Sequence, residues 1–127
     1  DSGTTIAPRV LQELEELDLG EGFVSLFIDE CLHDSRRALA EMEQHAAAAS
    51  WDQFRDECHA LKGVAGNMGA LRLAQLAADG MRQADWQLVR EWRTTSARLR
   101  DELEAARAAL KDAAAARGGR DGAARDR

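Results

Sequence analysis

A chain of 127 residues has room for one compact domain and little for a second hydrophobic core. Ala and Leu dominate its apolar fraction, Tyr is absent and Val, Ile and Thr are few, so strand formers are nearly missing and an all-α fold is expected. The net charge of −6 argues against an electrostatic nucleic-acid binder, and no stretch approaches the roughly 20 apolar residues of a membrane span or the core of a signal peptide.

Pro8 is the sole proline, and its fixed φ and missing amide suit a helix start. Val10, Leu11, Leu14 and Leu17 then recur at helical spacing, which predicts a short first helix. Asp18, Gly20 and Gly22 interrupt it. A long second helix follows on the apolar stripe Val24, Phe27, Ile28, Cys31, Leu39 and Met42, running towards Ala49. Ser50 with Gln53 forms a capping-box pattern that starts a third helix at about Trp51. There Trp51, Phe54, Cys58, Leu61, Ala65 and Met68 alternate spacings of three and four, which puts all six on one inward seam. The stretch Gly66-Asn67-Met68-Gly69 can end this helix, because Gly and Asn tolerate the left-handed conformation of helix ends. A fourth helix turns Leu73, Leu76, Ala77 and Gly80 inward; Asp85 then caps a fifth, with Val89, Trp92, Ser96, Leu99, Leu103, Ala106 and Leu110 as its seam. The expected fold is an antiparallel up-down four-helix bundle with an additional short N-terminal helix, over residues 1–116. From Arg117 glycines mix with Arg and Asp without periodicity, so residues 117–127 read as a disordered tail.

Cys31 and Cys58 both fall in helical apolar patterns and are too few for a disulfide framework, so they read as reduced core thiols of a cytoplasmic domain with no membrane contact of its own. The chain begins with Asp1 instead of Met, which fits a domain tethered within a longer protein. No metal site is expected. Cys31 and His33 lie about 200° apart on a helix and Cys58 and His59 about 100°, so neither pair converges. His33 and His45 read as surface residues, and Trp51, Trp86 and Trp92 as core rather than a ligand cavity. The series Gly63, Gly66, Gly69 follows no strand and has the wrong spacing for a dinucleotide or phosphate loop.

His59 is different. It lies roughly 130° from the centre of the Trp51 to Met68 seam and therefore points outward. Arg55 stands one turn before it, Lys62 and Gly63 one turn after, and Gly66 two turns after. Helical side chains lean towards the N-terminus, so a residue four places after His59 would lay its side chain across the imidazole's approach path, and Gly63 leaves that path open. Each mid-helix glycine costs about 1 kcal/mol relative to alanine. Either close helix packing or access to His59 can compensate. Lys62 adds an ammonium suited to a phosphoryl dianion, with Arg55 as a further positive neighbour. An exposed imidazole is largely neutral at cytoplasmic pH and needs no dedicated base to act as a nucleophile.

The run His59-Ala60-Leu61-Lys62-Gly63-Val64-Ala65-Gly66-Asn67-Met68-Gly69-Ala70 resembles the signature of histidine-containing phosphotransfer domains: His, any residue, Leu, Lys, Gly, and a further Gly. The likeness covers approximately residues 8–112 and extends to the bundle architecture. It implies a phosphorelay in which His59 takes a phosphoryl group from an aspartate of a response-regulator receiver domain and passes it to another receiver. Lys62 and Gly63 are the further catalytic positions, and Gly66 and Asn67 join Arg55 as candidates around the phosphate. No cofactor belongs to the bundle; Mg²⁺ is expected on the partner receiver, and the domain hydrolyses no ATP. It can be tethered to a sensor histidine kinase. Where members of this family often carry a Gln on the following helix, Met81 stands here, with Arg82 or Gln83 as possible substitutes. Receiver docking would fall to exposed apolar residues of the first two helices, such as Leu11 or Leu26. Two competing readings are a kinase phosphoacceptor domain loaded directly by an ATP-binding domain, and a helical adaptor in which His59 is incidental. The kinase dimerisation signature, with Glu, Arg, Thr and Pro after the histidine, is not the one present.

Overall fold

The computed structural model describes residues 5–17 and 22–125, the last nine of these as backbone only. Asp18 and Gly20, expected to interrupt the first two helices, lie outside the described residues. Pro8 opens α1 (Pro8–Glu16) at its first turn, as a residue with no amide to satisfy should. There follow α2 (Phe23–Ala47), α3 (Trp51–Asn67), α4 (Leu71–Arg82) and α5 (Asp85–Arg125), and no strand occurs among the described residues. The backbone of α5 continues as helix to Arg125, through the stretch from Arg117 that reads as a tail.

α2 to α5 form the antiparallel bundle. α2 and α4 each pack against both α3 and α5, so α3 and α5 stand diagonally across the core. That core takes Ile28, Leu32, Leu39 and Met42 from α2, Phe54, Leu61, Ala65 and Met68 from α3 and its end, Leu73 and Ala77 from α4, and Leu88, Leu99, Leu103 and Leu110 from α5. The expected α3 seam is buried throughout except for Trp51, which packs half-exposed against the core edge.

Turn chemistry fixes where α3 stops. The helix runs through Gly66 and Asn67, and only Gly69 adopts the left-handed conformation, with φ +75°. Its amide donates to the Gly66 carbonyl at 3.1 Å and the Ala70 amide to the Ala65 carbonyl at 2.8 Å, which satisfies carbonyls that the helix end leaves free. The Gly69 carbonyl accepts the Ala7 amide at 2.7 Å, and this bond seats the start of α1 on the α3–α4 turn. A β-carbon at Gly69 would meet Val10 Cβ at 3.0 Å, so glycine is required there by both conformation and contact. The turn from α2 to α3 is built in the same way around Ala49, at φ +56°, with Ser50 donating its amide to the His45 carbonyl at 2.8 Å.

Several expected details are corrected. Ser50 occupies the N-cap of α3 but makes no side-chain capping bond, since backbone bonds of the preceding turn hold this end. Asp85 is inside α5 and not its cap; the Ala84 amide is satisfied instead by Gln87 Oε1 at 2.9 Å. Val89 is 59% exposed while Leu88 is fully buried. From the mean direction of Leu99, Leu103, Ala106 and Leu110, Leu88 lies roughly 30° away on the helix and Val89 roughly 70°. Trp86, expected in the core, is 63% exposed, roughly 130° round the helix from that same direction. Leu11 is buried beneath α1, which leaves Leu26, 67% exposed, as the one of the two proposed docking residues that faces solvent. Cys31 and Cys58 are free, buried thiols as expected.

Candidate functional site

His59 sits midway along the 17-residue α3, with Cys58 before it and Leu61 after it both fully buried. A residue between two core positions of a regular helix is turned outward, and His59 is exposed. So are Ala60, Lys62, Gly63, Gly66 and Asn67. The outer surface of α3 is thus one open strip with the imidazole at its centre.

The glycines of this strip have no packing role. A β-carbon built at Gly63 or at Gly66 has no heavy atom within 4 Å. Among the described residues, close approach of a neighbouring helix, the alternative compensation for their helical cost, is therefore absent at both positions. Close approach does occur at Gly80 on α4, where a β-carbon would meet Cys58 Sγ at 3.0 Å. That contact sets the separation of α3 and α4 directly behind His59. Cys58 itself is pushed up to about 12 by burial, so its thiol stays protonated and takes no part in surface chemistry.

The positive groups divide sharply. Of the chain's two lysines, Lys111 pairs with Asp29 at 2.8 Å, whereas Lys62 is exposed and has no ion-pair partner among the described residues. Its ammonium is available one turn from His59. Arg55 is not available in this way. Its Nε donates to the Gln83 carbonyl at 3.0 Å, one terminal nitrogen to Asp52 at 3.1 Å and the other to Asp85. The guanidinium ties α3 to the α4–α5 turn, and its forked donors explain why an arginine serves there. Gln83 is held in the same knot, its Oε1 accepting the Thr95 hydroxyl at 3.1 Å. Arg82 pairs with Asp79 at 3.0 Å on its own helix, and Met81 packs half-buried against the core. Of the binding candidates, then, Gly66 and Asn67 share the strip with His59, while Arg55, Arg82 and Gln83 are engaged with protein partners.

One group of α3 gives no sequence signal. Glu57, half-buried on the α2 side of α3, is raised to about 7 by burial, by a side-chain hydrogen bond with Glu41 of α2 and by that group's charge, against the opposing effect of Arg37. A carboxyl pair bridging helices 16 residues apart in sequence leaves no periodic trace. Among the described residues no group of three or more His, Cys, Asp or Glu could hold a metal ion, and no helix is long and apolar enough to cross a membrane.

The chain was compared with known proteins. Residues 25–115 match the family model described as the Hpt domain. The sensory/regulatory protein RpfC, from two strains of Xanthomonas campestris pv. campestris, is 41% identical over 101 residues, which is 80% of this chain and 14% of the relative. The chain thus spans about one-seventh of the length of those curated relatives. Its fold is similar to the crystal structure of histidine-containing phosphotransfer protein B from Pseudomonas aeruginosa PAO1, with a TM-score of 0.76 and 22% identity, covering 87% of this chain and 94% of that one.

Proposed function

The chain belongs to the Hpt domain family, and on that premise we propose that His59 is the residue through which it passes phosphoryl groups between receiver domains. Phosphorelay phosphotransfer in two-component signalling is the function of this family, whose members are phosphoryl carriers and not enzymes in their own right. Response-regulator receivers are their partners.

The observation that carries the assignment to His59 is the combination of an exposed mid-helix imidazole, open space at Gly63 and Gly66, and an unpaired Lys62. In the proposed step an unprotonated ring nitrogen attacks the phosphorus of a receiver's aspartyl-phosphate. An N–P bond forms, the bond from phosphorus to the bridging oxygen of the aspartyl carboxyl group breaks, and its electron pair leaves with the aspartate as a carboxylate. The second ring nitrogen keeps its proton, so no base is needed. Lys62 lies where it can balance charge on the phosphoryl oxygens, with Mg²⁺ supplied by the receiver. Onward transfer is the reverse step on a second receiver. With Arg55, Arg82 and Gln83 engaged elsewhere, charge stabilisation on this side falls to Lys62 and water. Similarity to a short part of a much longer sensory/regulatory protein favours a domain tethered to a sensor histidine kinase; we place it on the cytoplasmic side and read no ATP-binding motif in its sequence.

Incubation of the domain with a phosphorylated receiver, and separately with ATP, tests the proposal. Acid-labile phosphate is expected from the receiver alone and is lost in His59→Gln, a surface substitution expected to change stability by no more than about 0.5 kcal/mol. Label that survives the substitution, or that arrives from ATP without a kinase, overturns it.

A further inference from the structure

The first two turns of α5 present a second surface, on the helix diagonal to α3. Trp86 and Val89 are 63% and 59% exposed, although both are residue types that sequence patterning assigns to the core. With Arg90 and Arg93 they occupy positions i, i+3, i+4 and i+7 and so form one stripe along the helix. Arg90 and Arg93 are exposed and form no ion pair among the described residues. The Arg93 guanidinium also lies over the Trp92 ring, 4.6 Å from its centroid, at the core-side edge of the stripe. Nearby carboxylates do not neutralise the stripe: Asp85 is taken by Arg55, and Glu91 lies about 100° round the helix from Arg90. A positive, aromatic-centred patch has therefore been kept on a chain whose net charge is −6.

We propose that the Trp86–Val89–Arg90–Arg93 stripe docks an acidic amphipathic helix of a protein partner, on the side of the bundle remote from His59. The stripe has the width of one helix, so a partner helix can lay an apolar ridge on Trp86 and Val89 while its flanking carboxylates meet the two arginines. Trp and Arg are the residues that most often dominate such contacts. A local acidic segment meets only this patch, whereas an extended anionic surface such as a membrane also meets the repulsion of the whole chain. Because α3 turns His59 outward on the opposite side, the docked partner leaves the imidazole free for a receiver.

The probes are two blocked helical peptides with Leu at i, i+4 spacing, flanked by Glu in one and by Lys in the other. They are titrated into the full chain with backbone amide shifts and tryptophan emission as readouts. The Glu peptide is expected to move the amides of residues 86–93, to blue-shift the emission, and to bind about tenfold tighter than the Lys peptide. Arg90→Glu with Arg93→Glu reverses that preference, with an unchanged helical circular dichroism spectrum and unchanged phosphate uptake by His59. Equal binding of both peptides, or shifts at residues 86–93 that grow with chain concentration alone, overturns the proposal. Binding to phosphatidylglycerol vesicles without binding to the Glu peptide does so too.

Discussion

A β-carbon added to the outer face of α3, at Gly63 or Gly66, meets nothing, whereas one added at Gly80 meets Cys58 Sγ and one at Gly69 meets Val10 Cβ, each at 3.0 Å. Gly63, Gly66 and Gly80 are helical and each carries a conformational cost of about 1 kcal/mol relative to alanine, whereas Gly69 stands just past the end of α3 at φ +75°, where glycine is the favoured residue. At Gly80 the fold returns that cost as a close helix contact, and at Gly69 the glycine itself makes the turn. At Gly63 and Gly66 it returns nothing, so the compensation is to be sought in what reaches His59 from solvent. The difference separates residues that build the bundle from residues that keep its surface open, within a single helix and its neighbours.

The largest effect is expected on the inner side. Gly80→Leu drives a branched side chain into Cys58 and the core behind it, at a cost of about 3 kcal/mol, seen as a lower midpoint in chemical denaturation. A variant as stable as the parent would mean that α3 and α4 can separate freely and that the packing role of Gly80 is wrong.

The outer side should respond in the opposite sense. Gly63→Ala adds a methyl group with no neighbour within 4 Å and should raise stability by about 1 kcal/mol while leaving phosphate uptake nearly intact. Gly63→Leu keeps the gain in helix propensity, yet its longer side chain leans over the imidazole, and transfer from a phosphorylated receiver should fall about tenfold or more. Full transfer in the leucine variant would show that the open path is irrelevant and would erase the contrast between the two pairs of glycines.

Much of this was legible in the residues themselves. Alternating steps of three and four placed Phe54, Cys58, Leu61, Ala65 and Met68 inward, and the same periodicity turned His59 outward. Periodicity gives direction on one helix, not partners across the bundle. Arg55 stands one turn from His59, but its partners Gln83 and Asp85 are 28 and 30 residues away, so nothing local to Arg55 reveals that it is a structural tie. Leu88 and Val89 are adjacent and both fit a step to Trp92, and only the mean direction of the later seam decides between them. Ser50 and Gln53 have the composition of a capping box, but the turn at Ala49 had already supplied backbone bonds. The motif at His59 was legible because it combines exposure, charge and small size in consecutive turns.

The smallest expected effect lies at the boundary between the two faces, where Glu57 meets Glu41. Burial and the neighbouring carboxyl raise Glu57 from 4.5 to about 7, so the folded state holds a proton that the unfolded chain releases at lower pH. A group raised in this way contributes stability that is fully present below 4.5 and is lost as pH rises through 7. The slope is opposite to that of a carboxylate held low by a cation, such as Glu104 beside Arg107. Glu57→Gln supplies a neutral amide that can still hydrogen-bond Glu41 and no longer titrates. Melting temperatures of parent and variant should therefore coincide near the acid end of the window, with the variant a few degrees higher at about pH 8. Parallel curves across the window would mean that Glu57 is already ionised in the folded state, and that this edge of α3 belongs to the solvated face with His59.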